Sequence, residues 1–365
     1  MKKRGISIEE LSLKHDECFQ ELEAQIKEKD DLLTAYRKDH GKLSVFFDNV
    51  ARAVQPLTPI KPIYEPVPHP DKPVVAVARS SDGHCGMVQP ADEIEGFGEY
   101  NYKIFHARKM DYIKRFVKWI NVQRQGYSIN ECCLIDTGDN ISGDIQELYR
   151  TNEFPVPEQV VKAADALAEQ AALLAAHFEK VTVEFISADN HGRLTQKPQS
   201  KEEGLNSLNY LVGHIAKARL EKYPNIIFNI YPFHEAVIHV STRNYLINHG
   251  HGIIQSFGTP WYGIERRIGR ESTARMQLIM AEQEQAIYKK AKEVGFNKLV
   301  FGHYHIFFEH EIYSCCPSVS GTDANDHKNG RHSFPGQSAW LAHPKYGEFN
   351  HINFRLDGLS NFPHR

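Results

Sequence analysis

The sequence predicts an α/β fold with buried strands, on three observations. Four short apolar, largely β-branched runs recur: Val74–Val77, Cys132–Ile135, Val181–Ile186 and Leu299–Phe301. Helical stretches near 102–124 and 155–178 separate the first three, the second rich in alanine. Each run ends in polar residues. Strand–helix–strand alternation argues for a sheet covered by helices, and the carboxyl ends of strands are where open α/β sheets keep their sites.

The first element is an N-terminal segment, 1–54. Residues 6–50 contain no proline and one glycine, Gly41, so they predict one long helix. His15, Phe19, Leu22, Ile26, Lys29, Leu33, Tyr36, His40, Leu43 and Phe47 follow the alternating four–three spacing of a coiled-coil seam. Two readings fit: a seam for a homodimer, weakened by its polar positions, or an amphipathic helix packed on its own domain. Residues 55–72 follow, with six prolines that forbid a helix and favour a stiff, extended linker. The body is expected over 73–365.

Composition narrows the function. The chain has 365 residues, 41% hydrophobic and 24% charged, so it can bury a core. Its net charge of −3 excludes a strongly basic nucleic-acid coat but leaves room for a local basic groove. No run reaches the roughly 18 apolar residues of a membrane span, and the start lacks the apolar stretch of a secretory signal. Six cysteines form neither zinc spacing nor a disulfide framework, so a reduced, cytoplasmic protein is expected. Histidine is abundant, at 20 residues, which points to metal binding or acid–base chemistry.

The strand ends carry that histidine. Asp82-Gly83-His84 follows the first run and Gly138-Asp139 the second. Asn190-His191 follows the third, and Gly302-His303-Tyr304-His305 the fourth. Asn248-His249-Gly250-His251 follows a further strand-like run, Tyr245–Ile247. Any one of these is an ordinary turn or a satisfied histidine. Five in order, at least four of them after a strand, argue for a shared site. Imidazole, carboxylate and amide donors without thiolate suit first-row divalent ions.

The order D-x-H, G-D, N-H, H-G, G-H-x-H resembles the calcineurin-like metallophosphoesterases over about residues 73–350. Glu99-Tyr100-Asn101 with Arg108, GDNISGDIQEL, NHGRLTQK and the late GTDAND…PGQ resemble phage-encoded members more narrowly. The resemblance implies a four-layer sandwich of two mixed sheets flanked by helices, a hydrolase of phosphoric esters, and two divalent ions. Mn2+ is the expected metal, with Fe2+, Zn2+, Ni2+ or Co2+ as alternatives. By the same resemblance Asp82, His84 and His305 hold one ion. Asn190, His249 and His303 hold the other, Asp139 bridges them, and His191 protonates the leaving oxygen. If the protein is phage-encoded, its compartment is the host cytoplasm.

Three positions depart from the family pattern: Asp189 where glycine is usual, Ser142 where an acid is frequent, and Gln146 where the phage branch has histidine. Arg193, two residues after His191, reads either as a phosphate contact or as a surface arginine. His251 reads as a bystander, with an additional site residue as the alternative, and Cys85 beside His84 as a packing residue, with a redox-sensitive neighbour as the alternative. Basic residues Arg193, Lys197 and Lys201, and aromatics beside arginines at Trp261, Tyr262, Arg266, Arg267 and Arg270, suit a phosphate backbone with stacked bases. The expected function is a nuclease acting on DNA. The alternative is a phosphatase or phosphodiesterase for a small molecule or phosphoprotein.

Overall fold

The computed structural model describes residues 53–63, 73–145, 152–255, 260–284 and 295–357, with Lys27 and Lys29 from the N-terminal segment. The chain divides into two compact units, Met1–Arg52 and Ala53–Arg365. The seam expected over 6–50 lies outside the described residues except for its Lys29, as does Gln146. Within the stretch read as a linker, residues 57–63 run against the body. Leu57 N–H donates to Arg219 O and Ile63 N–H to Ala176 O, both at 2.8 Å. Tyr223 Oη accepts from Ile60 N–H at 3.3 Å and donates to Thr58 O at 3.1 Å.

The elements of the second unit are β1 (Pro73–Ser80), α1 (Tyr102–Gln123), β2 (Ser128–Asp136), α2 (Val156–Ala175), β3 (Lys180–Ile186), α3 (Leu208–Arg219), β4 (Ile226–Tyr231), β5 (Glu235–Val240), β6 (Arg243–Asn248), α4 (Trp261–Glu284), β7 (Lys298–Phe301), β8 (Phe308–Glu309), β9 (Tyr313–Cys315), α5 (Ala324–Lys328), β10 (Gly336–His343) and β11 (Gly347–Arg355). Side chains set several helix starts. Asn101 accepts from Ile104 N–H, Ser207 from Asn209 N–H and Asp323 from Asp326 N–H, each satisfying an orphan donor of a first turn. Pro157 sits in the first turn of α2, where its missing N–H costs nothing and its fixed φ is helix-compatible.

Two mixed sheets result. The first has the order β11-β10-β1-β2-β3-β4 and the second β5-β6-β7-β9-β8. In the first, β1, β2, β3 and β4 run parallel, while β10 pairs antiparallel with β1 and with β11. In the second, β6, β7 and β9 run parallel, with β5 and β8 antiparallel at the edges.

The sheets share a core. Val77, Cys133, Ile135, Ile186, Trp340 and Ala342 of the first meet Ile238, Val240, Tyr245, Ile247 and Val300 of the second. The β1–β3 runs lie in this sheet, which is why they read as nearly continuous apolar stretches. Helices α1, α2 and α3 bury Phe105, Phe116, Val160, Leu167 and Val212. Ile264 of α4 packs on Leu246, Leu299 and Phe301 of the second sheet. Among the described residues no helix is long and apolar enough to cross a membrane.

Candidate metal centre

The parallel registers bring the carboxyl ends of β1, β2 and β3 together in one sheet, and those of β6 and β7 in the other. Backbone hydrogen bonds lace the turns that follow. Asp82 N–H donates to Gly138 O (3.0 Å), His84 N–H to Asp139 O (2.9 Å) and Gly302 N–H to His249 O (2.9 Å). His303 N–H reaches across to Asp82 Oδ1 and Oδ2 at 2.9 and 3.1 Å, which ties the two sheets at the site.

Asp82, His84, Asp139, His303 and His305 all have positive φ, between 45° and 71°. This backbone costs a non-glycine residue roughly 1–3 kcal/mol and persists only where its surroundings enforce it. Five such residues in one place are the signature of a site shaped for its side chains. Gly302 shows how tightly. A Cβ there would lie 1.9 Å from Ser81 Oγ and 2.3 Å from Asp82 Oδ2.

The side chains converge in three overlapping groups: Asp82, His84 and His305; Asp139, His249 and His303; and His84, Asp139 and His191. In the first, His84 Nε2 lies 3.0 Å from His305 Nε2, and His305 Nε2 lies 3.7 Å from Asp82 Oδ1. In the second, His249 Nε2 lies 3.0 Å from Asp139 Oδ2 and 2.9 Å from Asn190 Oδ1. The opposite ring nitrogens are engaged: His249 Nδ1–H donates to Thr137 O (2.8 Å), and His305 Nδ1–H to Asp326 Oδ2 (2.6 Å).

The donor chemistry fits divalent ions. With Nδ1 carrying the proton, His249 Nε2 presents a lone pair to a carboxylate oxygen and an amide oxygen. His305, with its Nδ1–H on Asp326, likewise presents an Nε2 lone pair, 3.0 Å from His84 Nε2. Such convergence of acceptors is stable only around a cation or an added proton. Without an ion the proton takes the place: burial alone would lower the pKa of His249, but Asp139 outweighs it and raises it to about 10. Burial likewise opposes the rise of His305, which Asp326 carries to about 10. Burial would raise the Asp139 carboxyl, yet His249 and His191 hold it well below the ordinary range. The outer nitrogens of His249 and His305, locked on a carbonyl and a carboxylate, show the arrangement that orients ligating histidines.

The other expected residues fall as follows. His191 Nδ1–H donates to Ser142 O (2.7 Å), which leaves Nε2 toward the centre, 3.9 Å from Asp139 Oδ2. Position 142 therefore meets His191 through its backbone carbonyl. Asp189 does not use a positive φ. Its carboxylate accepts from Asp139 N–H (2.9 Å) and Gly192 N–H (2.8 Å), bracing the turns that hold Asp139 and Asn190. Burial, then the neighbouring Asp139, pushes the Asp189 carboxyl up to about 7.

Arg193 lies in the loop that follows His191. Its guanidinium donates to Asn190 O (2.9 Å), Thr195 O (3.1 Å) and Gln196 O (3.4 Å), so it clasps its own loop. The physical reason is local: three carbonyls lie within reach of one five-donor fork. The aromatic–basic segment is likewise partly spent. Arg267 and Arg275 pair with Glu235 and Glu271, and Trp261 packs on Phe308. Cys85 is fully buried, in keeping with packing.

A cleft of about 610 Å³ opens over the centre, lined by Asp139, Asn190, His191, His303 and His305. Gln89, Gln255, Asn325, Asn329 and Arg331 also line it. Asp323, Asp326 and Arg331 were not singled out from sequence. The first two lie in the GTDAND run, whose only signal was the resemblance, and Arg331 carried none. Asp326 holds both His305 and Arg331, the latter at 3.0 Å. Tyr100 and Arg108 act at a distance: Tyr100 Oη donates to Gly83 O, and Arg108 to Val319 O and Ser320 O.

No protein-family profile and no curated relative matches the chain. Among solved structures it is similar to an archaeal phosphodiesterase, at 10% identity and a TM-score of 0.30, over 76% of this chain and 99% of that one. It is similar to Vps29 of Entamoeba histolytica complexed with Zn2+, at 11% identity and a TM-score of 0.29, over 77% and 99%. A Streptococcus pneumoniae protein described as a predicted phosphoesterase matches at 10% identity and a TM-score of 0.24, over 77% and 97%. At such scores the functional reading rests on the residues themselves, not on these likenesses.

Proposed function

We propose that this chain is a phosphoesterase of the metallophosphoesterase kind, dependent on two divalent ions and cleaving phosphodiester bonds. The observation that carries the reading is the lone pair of His249 Nε2, aimed between Asp139 Oδ2 and Asn190 Oδ1 and backed by Thr137 O. Asp82, His84 and His305 would hold one ion and Asn190, His249 and His303 the other, with Asp139 available to both. When bound, such a pair activates water as a Lewis acid and neutralises phosphate charge.

The chain's own residues supply the rest. Asn190 ligates without adding charge, so the cleft repels phosphate less. His191, held through Nδ1 by Ser142 O, keeps Nε2 free to protonate the leaving oxygen. Arg331 lines the same cleft while paired with Asp326 at 3.0 Å, and its remaining donors would serve a phosphate oxygen. Nucleic acid is the substrate class we test first, from the basic residues of the 193–201 loop. A compact phosphodiester is the second reading, favoured by the 610 Å³ cleft and its carboxamide lining.

The test is turnover of bis-p-nitrophenyl phosphate and of labelled single- and double-stranded DNA with Mn2+, beside Asp139→Asn. Diester turnover lost in the variant is the expected result. DNA cleavage lost in parallel supports the nuclease reading, and diester turnover alone supports the compact substrate. Equal activity in wild type and variant removes the proposal.

A further inference from the structure

Beside the dinuclear residues lies a second group of metal donors, drawn from three distant segments. Glu203 sits between β3 and α3, His234 in the β4–β5 turn and His251 after β6. Glu203 Oε1 is 2.6 Å from His251 Nε2, and Glu203 Oε2 is 2.8 Å from His234 Nδ1. One donor atom from each residue lies within 4.8 Å of the others. The ring of His251 is 5.5 Å from that of His249 and 6.4 Å from that of His303.

The approach of these segments is built in by two glycines. A Cβ on Gly204 would meet the Pro232 carbonyl carbon at 2.6 Å, so the backbone beside Glu203 abuts that beside His234. A Cβ on Gly252 would meet His234 Cε1 and Nε2 at 3.1 Å, so the backbone after His251 flanks the same ring. The side chains are mostly enclosed, at 14%, 30% and 13% exposure for Glu203, His234 and His251. His234 keeps the most solvent access, which leaves a way in for an ion and its water.

We infer that Glu203, His234 and His251 form a third divalent-metal site, separate from the dinuclear centre and suited to Zn2+. Two imidazoles and one carboxylate are the donor set of open zinc sites, with a fourth position left for water. Co2+ and Ni2+ fit the same donors. The ion displaces the protons that now lie between the imidazoles and Glu203. Bound there, it clasps the β3–α3 loop and the β4–β5 turn to the turn that carries His249.

The full chain, stripped by chelator and reloaded with Zn2+, is assayed for metal by mass spectrometry. Wild type is expected to hold three ions, Glu203→Gln/His234→Asn two, and Asp139→Asn one. Co2+ loaded into Asp139→Asn should give tetrahedral-type visible bands that vanish when Glu203→Gln and His234→Asn are added. The single Glu203→Gln, checked by circular dichroism, repeats the count should the double variant not fold. A double variant that holds as many ions as wild type, or an Asp139→Asn protein that holds none, overturns the site. A double variant one ion short beside an Asp139→Asn protein at full stoichiometry keeps this site and removes the dinuclear reading instead.

Discussion

Gly302→Ala tests whether the centre is as sterically determined as its geometry implies. The new Cβ lands 1.9 Å from Ser81 Oγ and 2.3 Å from Asp82 Oδ2, where ordinary contact begins near 3.4 Å. Ser81 cannot easily give way, because Thr137 Oγ1–H donates to its Oγ at 2.8 Å. Asp82 is tied by His303 N–H. Both groups must retreat, each by roughly 1 Å or more, and a displacement of that size costs about 10²-fold in turnover when it reaches reacting groups. Overpacking should also remove about 1–3 kcal/mol of stability. The assay is diester turnover with metal content and thermal melting measured on the same preparation. Gly269→Ala is the control: it lies within α4, its Cβ meets nothing within 4 Å, and it should add about 0.5–1 kcal/mol. A Gly302→Ala protein with wild-type turnover and full metal content would refute the reasoning.

Three further outcomes are expected. His191→Asn should keep its metal and lose roughly 10²–10⁴-fold in turnover, since it removes a proton donor and not a ligand; loss of metal in that variant would contradict the role. Asp326→Asn should weaken metal affinity by about 10–100-fold through His305, with turnover recovering at saturating metal; isothermal titration against Mn2+ reads this, and unchanged affinity counts against Asp326 as a positioning residue. His106 is raised above its ordinary pKa by its hydrogen bond to Glu169, at 2.7 Å. The stability this pair contributes is therefore fully present below about pH 6.5 and fades as pH rises through the raised value. Denaturation of wild type and Glu169→Gln from pH 5 to 9 should show curves that converge toward alkaline pH, and parallel curves would exclude the coupling.

Much of the centre was legible along the chain because each of its segments follows a buried strand. The apolar runs at 74–77, 132–135, 181–186 and 299–301 are β1, β2, β3 and β7, and the stretches near 102–124 and 155–178 are α1 and α2. The seven ligand positions and His191 come together. Strand β10 and the edge strand β11 were not legible. Both are paired antiparallel to strands that the alternation had not connected with them, and β10 inserts beside β1 from more than 250 residues away. Sequence distance from His191 did not show that Arg193 donates to the carbonyls of its own loop.

By itself the sequence determined the alternation of strands and helices, the polar residues at the strand ends and the donor types available for a metal. Those follow from local rules: β-branched runs favour buried strands, and polar residues with glycine favour the turns after them. Only the tertiary structure decided which donors meet. Parallel registers across two sheets place His249 against Asp139 and Asn190, and His305 against His84. It alone brought Asp326 behind His305 and assembled Glu203, His234 and His251, because ligand geometry depends on distances between segments that chain order does not specify.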